Sequence, residues 1–246
     1  MEANNMIMTD CPWELENLGC RTTEIRLNGA NVNLDELKQV EQRSNYVVVK
    51  VPAAYAREGR VLQENGYFFA ETQLKIERDL SSFNCAIPED LTLDYITSED
   101  GLQEVLESIT PQTFVTDRIA LDPSFGLDVS LRRYRNWMKT EFACGNPLIR
   151  LVWENKGVGF MMVKLVDSNM DVLLHAIFPP FQGRGLGHLL ALAPFVLRNK
   201  FRQLKSYSTR VSANNPAIIY ILTTHGYTIT DACSVFVKHL NNTEVQ

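Results

Sequence analysis

The segment Gln182-Gly183-Arg184-Gly185-Leu186-Gly187-His188 alternates glycine with other residues immediately before an apolar run that reads as a helix. Backbone N–H groups at a helix start have no partner within the helix, and the positive end of its dipole lies there, so such a turn holds phosphate. Glycines let the backbone approach a pyrophosphate closely, and Arg184 adds a charge-assisted contact. The spacing is not Gly-x-Gly-x-x-Gly and no Gly-Lys-Ser/Thr occurs, which sets aside a dinucleotide fingerprint and a Walker loop. His175, just upstream, offers an imidazole able to accept a proton near pH 7, or a buried ring hydrogen-bonded within a sheet. Asp117 and Asp122 suit an ammonium or sugar hydroxyls, and Arg118, Arg132 and Arg133 suit a diphosphate. The structural alternatives are a turn start at Asp122-Pro123 and solvated charges on an amphipathic helix whose apolar face is Leu131, Tyr134, Trp137 and Met138.

The elements that must position these residues are clearest from residue 148 onward. Apolar runs at 148–154, 158–167 and 171–178, divided by Asn155-Lys156-Gly157 and Ser168-Asn169, read as an antiparallel meander. After Pro179-Pro180 follow a helix to about 203, a strand at 206–211, a helix at 214–225 stopped by Gly226, and a strand at 227–240. Pro194 predicts a kink within the first of these helices. Upstream, 91–96 reads as a strand, and Thr97-Ser98-Glu99-Asp100 as a capping box before a helix at 102–109. The connection 110–146 is long enough to suggest function.

An offset of 160 residues places Val51, Ala53, Leu62, Gly66 and Tyr67 on Val211, Ala213, Leu222, Gly226 and Tyr227, with Glu71 over Asp231. Repetition of element order as well as residues predicts strand, helix and strand over 46–77, in a truncated copy of the second half running from about residue 1 to 85. The expected domains are therefore a partial unit at 1–87 and a catalytic unit at 88–246.

Among 246 residues, 45% are hydrophobic and 22% charged, enough for a sizeable core, and the net charge of −5 has the wrong sign for a chain that grips nucleic acid. The longest apolar stretch, 189–197, is too short to span a bilayer, and no export signal is read at the N-terminus, so a cytoplasmic protein is expected. The cysteines, Cys11, Cys20, Cys85, Cys144 and Cys233, are odd in number and lack a Cys-x-x-Cys pair, so neither a disulfide framework nor a metal site is expected.

Pro179-x-x-Gln182-x-x-Gly185-x-Gly187 after a strand resembles the acetyl-CoA signature of the GNAT acyltransferases, Gln/Arg-x-x-Gly-x-Gly/Ala. Asn214-x-x-Ala217 with Gly226-Tyr227 resembles their next motif, and the likeness in element order covers 91–240. It implies an α/β (α+β) fold, a central mixed, mostly antiparallel sheet flanked by helices, preceded here by a partial GNAT-like domain. It also implies acetyl-CoA as co-substrate, backbone contacts to it at Ile177 and Phe178, pyrophosphate contacts at Gln182, Gly183, Arg184, Gly185, Leu186, Gly187 and His188, and a further contact at Asn214. In that family a tyrosine four residues before the closing glycine usually protonates the leaving sulfur. That position is Leu222, or Ile221 counted from Asn214, so one extra residue and a bulge that turns Tyr220 into place are implied.

Phe114-x-x-Asp117-Arg118, Asp122-Pro123 and Tyr134-x-x-Trp137, with the truncated leading half, resemble the two-domain TDP-fucosamine acetyltransferases. The expected function is transfer of acetyl from acetyl-CoA directly to a primary amine, including an amino group on a nucleotide-linked sugar. Tyr220 and His175 are the expected catalytic residues, and Asp117, Arg118 and Asp122 the expected substrate contacts. An amino acid, polyamine or peptide amine is the alternative acceptor, and a non-catalytic acyl-CoA sensor the alternative role. The expected partners are a small-molecule amine and, for assembly, a second copy of the chain, with neither nucleic acid nor membrane.

Overall fold

The computed structural model describes residues 5–82 and 86–241. Cys85 lies outside them. The leading half runs β1 (Met6–Asp10), α1 (Trp13–Leu18), β2 (Thr22–Leu27), α2 (Leu34–Arg43), β3 (Tyr46–Pro52), α3 (Ala56–Glu64) and β4 (Phe68–Asp79). The second half runs β5 (Leu91–Ile96), α4 (Glu99–Ser108), α5 (Gly126–Ala143), β6 (Leu148–Trp153), β7 (Lys156–Val166), β8 (Asn169–Ile177), α6 (His188–Lys200), β9 (Ser206–Ser212), α7 (Pro216–Thr224) and β10 (Thr228–His239).

The ten strands form one sheet in the order β1-β2-β3-β10-β4-β9-β8-β7-β6-β5. Among the described residues only β2–β3 and β8–β9 pair in parallel. Residues that alternate along a strand face opposite sides of a sheet, and this alternation sorts the core. Val47, Val49 and Val51 pack against α2 and α3, while Tyr46 and Val48 join Val235 and Val237 beneath Ile119 and Phe125. In the second half Ile149, Met161 and Val172 pack with α6 and α7 on one face, and Leu148, Phe160 and Leu174 with α4 and α5 on the other.

Residues 189 to 195 of α6 are all buried, and the helix runs through Pro194 as a single element, ending at Lys200 rather than near 203. The apolar neighbours on all sides hold it despite the missing backbone donor. The long connection contains the 18-residue helix α5, whose Met138 is buried and whose Leu131, Tyr134 and Trp137 pack on the same cluster.

The internal repeat is visible in the strand pairing itself. On β4 and β10, Phe68 pairs with Val237 and Glu77 with Thr228; adding 160 to the β4 number and subtracting it from the β10 number turns each pair into the other. Gln73 with Cys233 maps onto itself, marking a local two-fold axis. Val51 pairs with Ser234 as Val211 pairs with Leu74. Each half thus sends its final strand into the other, β10 against β3 and β4 against β9. The two copies follow one another along the chain while their strands interleave in space. Both helix ends close alike: Gly66 (φ +82°) and Gly226 (φ +78°) take the left-handed conformation, and the amides of Tyr67 and Tyr227 donate to Leu62 and Leu222 at 3.0 and 3.1 Å.

Candidate functional site

A cleft opens in the sheet between β8 and β9. They pair only from Asn169 with Ser206 to Val172 with Thr209. Beyond that, Arg210–Ser212 pairs with Lys75–Gln73 of β4, and β8 carries on to Ile177 without β9. A register shift opposite Met162 and Val163 inserts Leu173 into β8 where the strands diverge, the strand bend that a bulge produces. Above it the Phe178 amide donates to Val158 O at 2.9 Å, so Phe178 faces β7. Alternation then turns the main-chain groups of Ile177 and His175 toward the cleft. The expected coenzyme contact at Phe178 is corrected on this ground, because its amide is committed to β7. The Ile177 carbonyl accepts from Gln182 Nε2 at 2.9 Å, which leaves the Ile177 N–H as the open donor.

The loop at the cleft mouth is built around left-handed glycines. Gly183 and Gly185 have φ of +72° and +78°, and a Cβ at either would meet only open space, so backbone conformation rather than crowding requires glycine there. Among the described residues no backbone acceptor takes the amides of Gly183, Arg184, Gly185, Leu186, Gly187 or His188, and α6 has no side-chain cap. His188 turns its Nδ1 to the Gly185 carbonyl at 2.7 Å. The Arg184 guanidinium lies 5.8 Å from the Phe181 ring centroid. Gly187 sits close against α7: a Cβ there would lie 2.5 Å from the terminal Cδ1 of Ile221.

The equivalent place in the leading half is closed. β2 and β3 stay paired from Thr22 with Tyr46 to Arg26 with Lys50. Asn33 Oδ1 accepts from the Asp35 and Glu36 amides at 3.1 and 3.3 Å, and those two acids occupy the first turn of α2. A capped, acidic helix start repels the anion that an open one attracts.

Several expected site residues hold the structure together instead. His175 pairs with Met161 and shares its face, on the side of α6 and α7. Burial pushes its pKa down to about 4, and its buried Nδ1 has no partner among the described residues. The ring is neutral near pH 7 and points away from α5. Tyr220 is 70% exposed. α7 is a regular α-helix with Ile218 and Leu222 in the core and Ile221 against the loop, so no bulge turns Tyr220 inward, and the proton-donor expectation is corrected.

Asp117 Oδ1 accepts from the Ile119 and Ala120 amides, both at 2.8 Å, and Asp122 accepts from the Ser124 amide and faces His239 Nε2 at 2.8 Å. Both carboxylates shape the connection between α4 and α5 and are already engaged. Arg132 donates to Asn17 O at 2.7 and 3.1 Å, and Arg133 Nε meets Glu14 Oε1 at 2.8 Å, which locks α1 to α5 and removes both arginines from any diphosphate role. Asn214 is exposed and donates to Thr116 O at 3.4 Å, while Asn215 caps α7.

Arg118 lies instead in a buried polar cluster. Its Nη1 stands 4.0 Å from Oε1 of Glu71, and Tyr46 is beside it. Glu71 and Gln73, whose Nε2 donates to Glu71 Oε1 at 2.9 Å, were missed in the sequence. The available signal was a carboxylate between Ala70 and Ile76 in a strand, at the position the repeat matches to Asp231. Among the described residues no group of three or more His, Cys, Asp or Glu stands together as a metal site, and no helix is long and apolar enough to cross a membrane.

No family sequence model matches the chain, and neither does any curated protein sequence. Solved structures do resemble it. A GCN5-related N-acetyltransferase from Sphaerobacter thermophilus superposes with a TM-score of 0.65 at 12% identity, covering 96% of this chain and 76% of that one. A tandem GNAT protein from the clavulanic acid biosynthesis pathway gives 0.57 at 12% identity over 99% of this chain and 86% of its own. A GCN5-related N-acetyltransferase from Kribbella flavida gives 0.57 at 13% identity, covering 89% and 81%. The chain has the GNAT fold.

Proposed function

We propose that this chain is an acyl-CoA-dependent N-acyltransferase that moves an acetyl group from acetyl-CoA to a primary amine. The observation that carries the reading is the run of uncommitted amides from Gly183 to His188 at the mouth of a cleft that the leading half lacks. These amides and Arg184 suit a pyrophosphate, and the free edge of β8 at His175 and Ile177 suits an amide-bearing chain that lies along it like an added strand. The coenzyme supplies an activated acyl thioester. The Ile177 N–H is the donor aimed where charge would develop on the acyl oxygen. Ile221, which packs at the loop, has no proton to give. Burial raises the thiol pKa values of Cys11, Cys20 and Cys233, which suits direct transfer better than a cysteine nucleophile.

The nucleotide-linked sugar loses its support in the engaged Arg132 and Arg133. A small amine is the acceptor class we favour. Thermal unfolding with and without acetyl-CoA tests the reading, since a ligand at about 100 times its Kd adds roughly 2.7 kcal/mol. No shift at millimolar acetyl-CoA refutes it. The placement of Ile221 favours one second reading, an acyl-CoA sensor, and coenzyme binding without thiol release across a panel of amines selects it.

A further inference from the structure

The leading half lacks a coenzyme cleft, yet its exchanged strand reaches the cleft of the second half. Gln73 of β4 is level with Ser212 at the end of β9. Glu71 lies two residues further, past the turn where the Ala213 amide donates to Thr72 O at 2.7 Å. Counting the same steps along β8 from the last pair, Val172 with Thr209, brings Glu71 near the level of Ile177. Two strand spacings make about 10 Å, so the backbones at Ile177 and Glu71 stand at about that distance or more across the divergence of β8 and β9. Glu71 pairs with Val235 and shares its face, toward the α4–α5 connection and away from His175.

The cluster at Glu71 is incompletely paired. Glu71 is 1% exposed and the Arg118 side chain 10%. Oε1 of Glu71 has Gln73 at 2.9 Å and Arg118 at 4.0 Å, longer than a hydrogen-bonded ion pair. Oε2 of Glu71 and Nε of Arg118 are buried with no hydrogen-bond partner among the described residues. An uncommitted acceptor on a buried anion beside an uncommitted donor on a buried cation is costly until something meets both.

Building on the acyl-transfer reading, we infer that Glu71 and Arg118 form the acceptor subsite, and that the acceptor is a small amine with a carboxylate close to it. The ammonium sits on Glu71 Oε2 and the carboxylate on Arg118 Nε. A diamine fits badly, because its second positive charge would lie near the guanidinium. The half without a coenzyme site thereby supplies the acidic residue of the acceptor site, and the strand exchange is what delivers it.

Thiol release from acetyl-CoA is measured with glycine, alanine, β-alanine, ethanolamine and putrescine. The carboxylated amines are expected to lead ethanolamine and putrescine by at least about tenfold in kcat/KM. Glu71→Gln is expected to raise the KM of the best acceptor about 10- to 100-fold, with acetyl-CoA affinity unchanged and Tm not lowered, since an amide replaces an under-paired buried charge. A purely structural Glu71 gives the opposite result, a lower Tm with KM unchanged, and overturns the inference. So does a preference for putrescine or ethanolamine. If acetyl-CoA binds but no amine reacts, calorimetric titration of glycine and β-alanine into the coenzyme complex decides, and no heat of binding overturns the subsite alone. Failure of the wild-type chain to bind acetyl-CoA overturns the acyl-transfer reading and the subsite with it.

Discussion

Gly187 and Ile221 provide a sharp test of how the coenzyme loop is seated. An added Cβ at Gly187 would lie 2.5 Å from Ile221 Cδ1, and the next nearest atom is Cγ1 at 3.6 Å. The conflict therefore lies in one methyl group. Gly187→Ala crowds the junction of α6 and α7, and because the atom it meets is the end of a half-buried side chain, it should cost about 1 kcal/mol, the low end for overpacking. Ile221→Val deletes that methyl; alone, at a half-buried site, it should cost about 0.5 kcal/mol, the low end for this substitution. In the Gly187→Ala background the same deletion relieves the clash and should restore about 1 kcal/mol, so its effect changes sign and the pair couples by about 1.5 kcal/mol. Urea unfolding of the four proteins of the cycle measures this directly. Acetyl-CoA affinity should follow the same pattern, since 1.4 kcal/mol at the loop corresponds to about tenfold in Kd. If Ile221→Val is equally destabilising in both backgrounds, the close approach of α6 to α7 is not what demands glycine, and the reasoning fails.

Other expectations concern separate parts of the molecule. Calorimetry should find one acetyl-CoA per chain, because Asn33 and the acids after it occupy the helix start in the leading half; a stoichiometry of two refutes that contrast. Tyr220→Phe should leave kcat unchanged within twofold, and a drop of tenfold or more would return Tyr220 to the chemistry. His175 has a folded pKa of about 4, below its ordinary 6.5, so the unfolded chain binds more protons between those values. Its contribution to stability is full above pH 6.5 and is lost as pH falls toward 4; His175→Phe should flatten the stability profile in that window, and an unchanged slope contradicts the burial. Glu14→Ala leaves Arg133 without its carboxylate and should lower unfolding stability by about 3 kcal/mol, read from the urea midpoint.

Features set by local sequence were legible. The meander, the glycine turn and both Gly-Tyr closures are written in short-range patterns, and 91–96, 148–154 and 206–211 fall within a residue of β5, β6 and β9. The offset that matched Gly66 to Gly226 also predicted strand, helix and strand where β3, α3 and β4 stand. Side-chain commitments were not legible, because each depends on a partner far along the chain. Arg132 and Arg133 read as candidate phosphate ligands until Asn17 and Glu14, more than a hundred residues away, are found against them. The facing of His175 turned on the single inserted residue Leu173, which reverses strand alternation and leaves no mark in composition. The exchange of β4 and β10 was hidden for a related reason: equivalent strands carry equivalent patterns, so hydrophobicity alone does not say which neighbour each one chooses.

The interleaving of β4 and β10 gives the molecule the topology of a domain-swapped dimer written in one polypeptide. A ribosome that has reached Tyr227 has made nine of the ten strands and still lacks the one between β3 and β4. The centre of the sheet is thus completed after its flanks, and until then two raw edges wait side by side. A gene cut between the copies would encode two fragments that must find each other before either can finish its architecture.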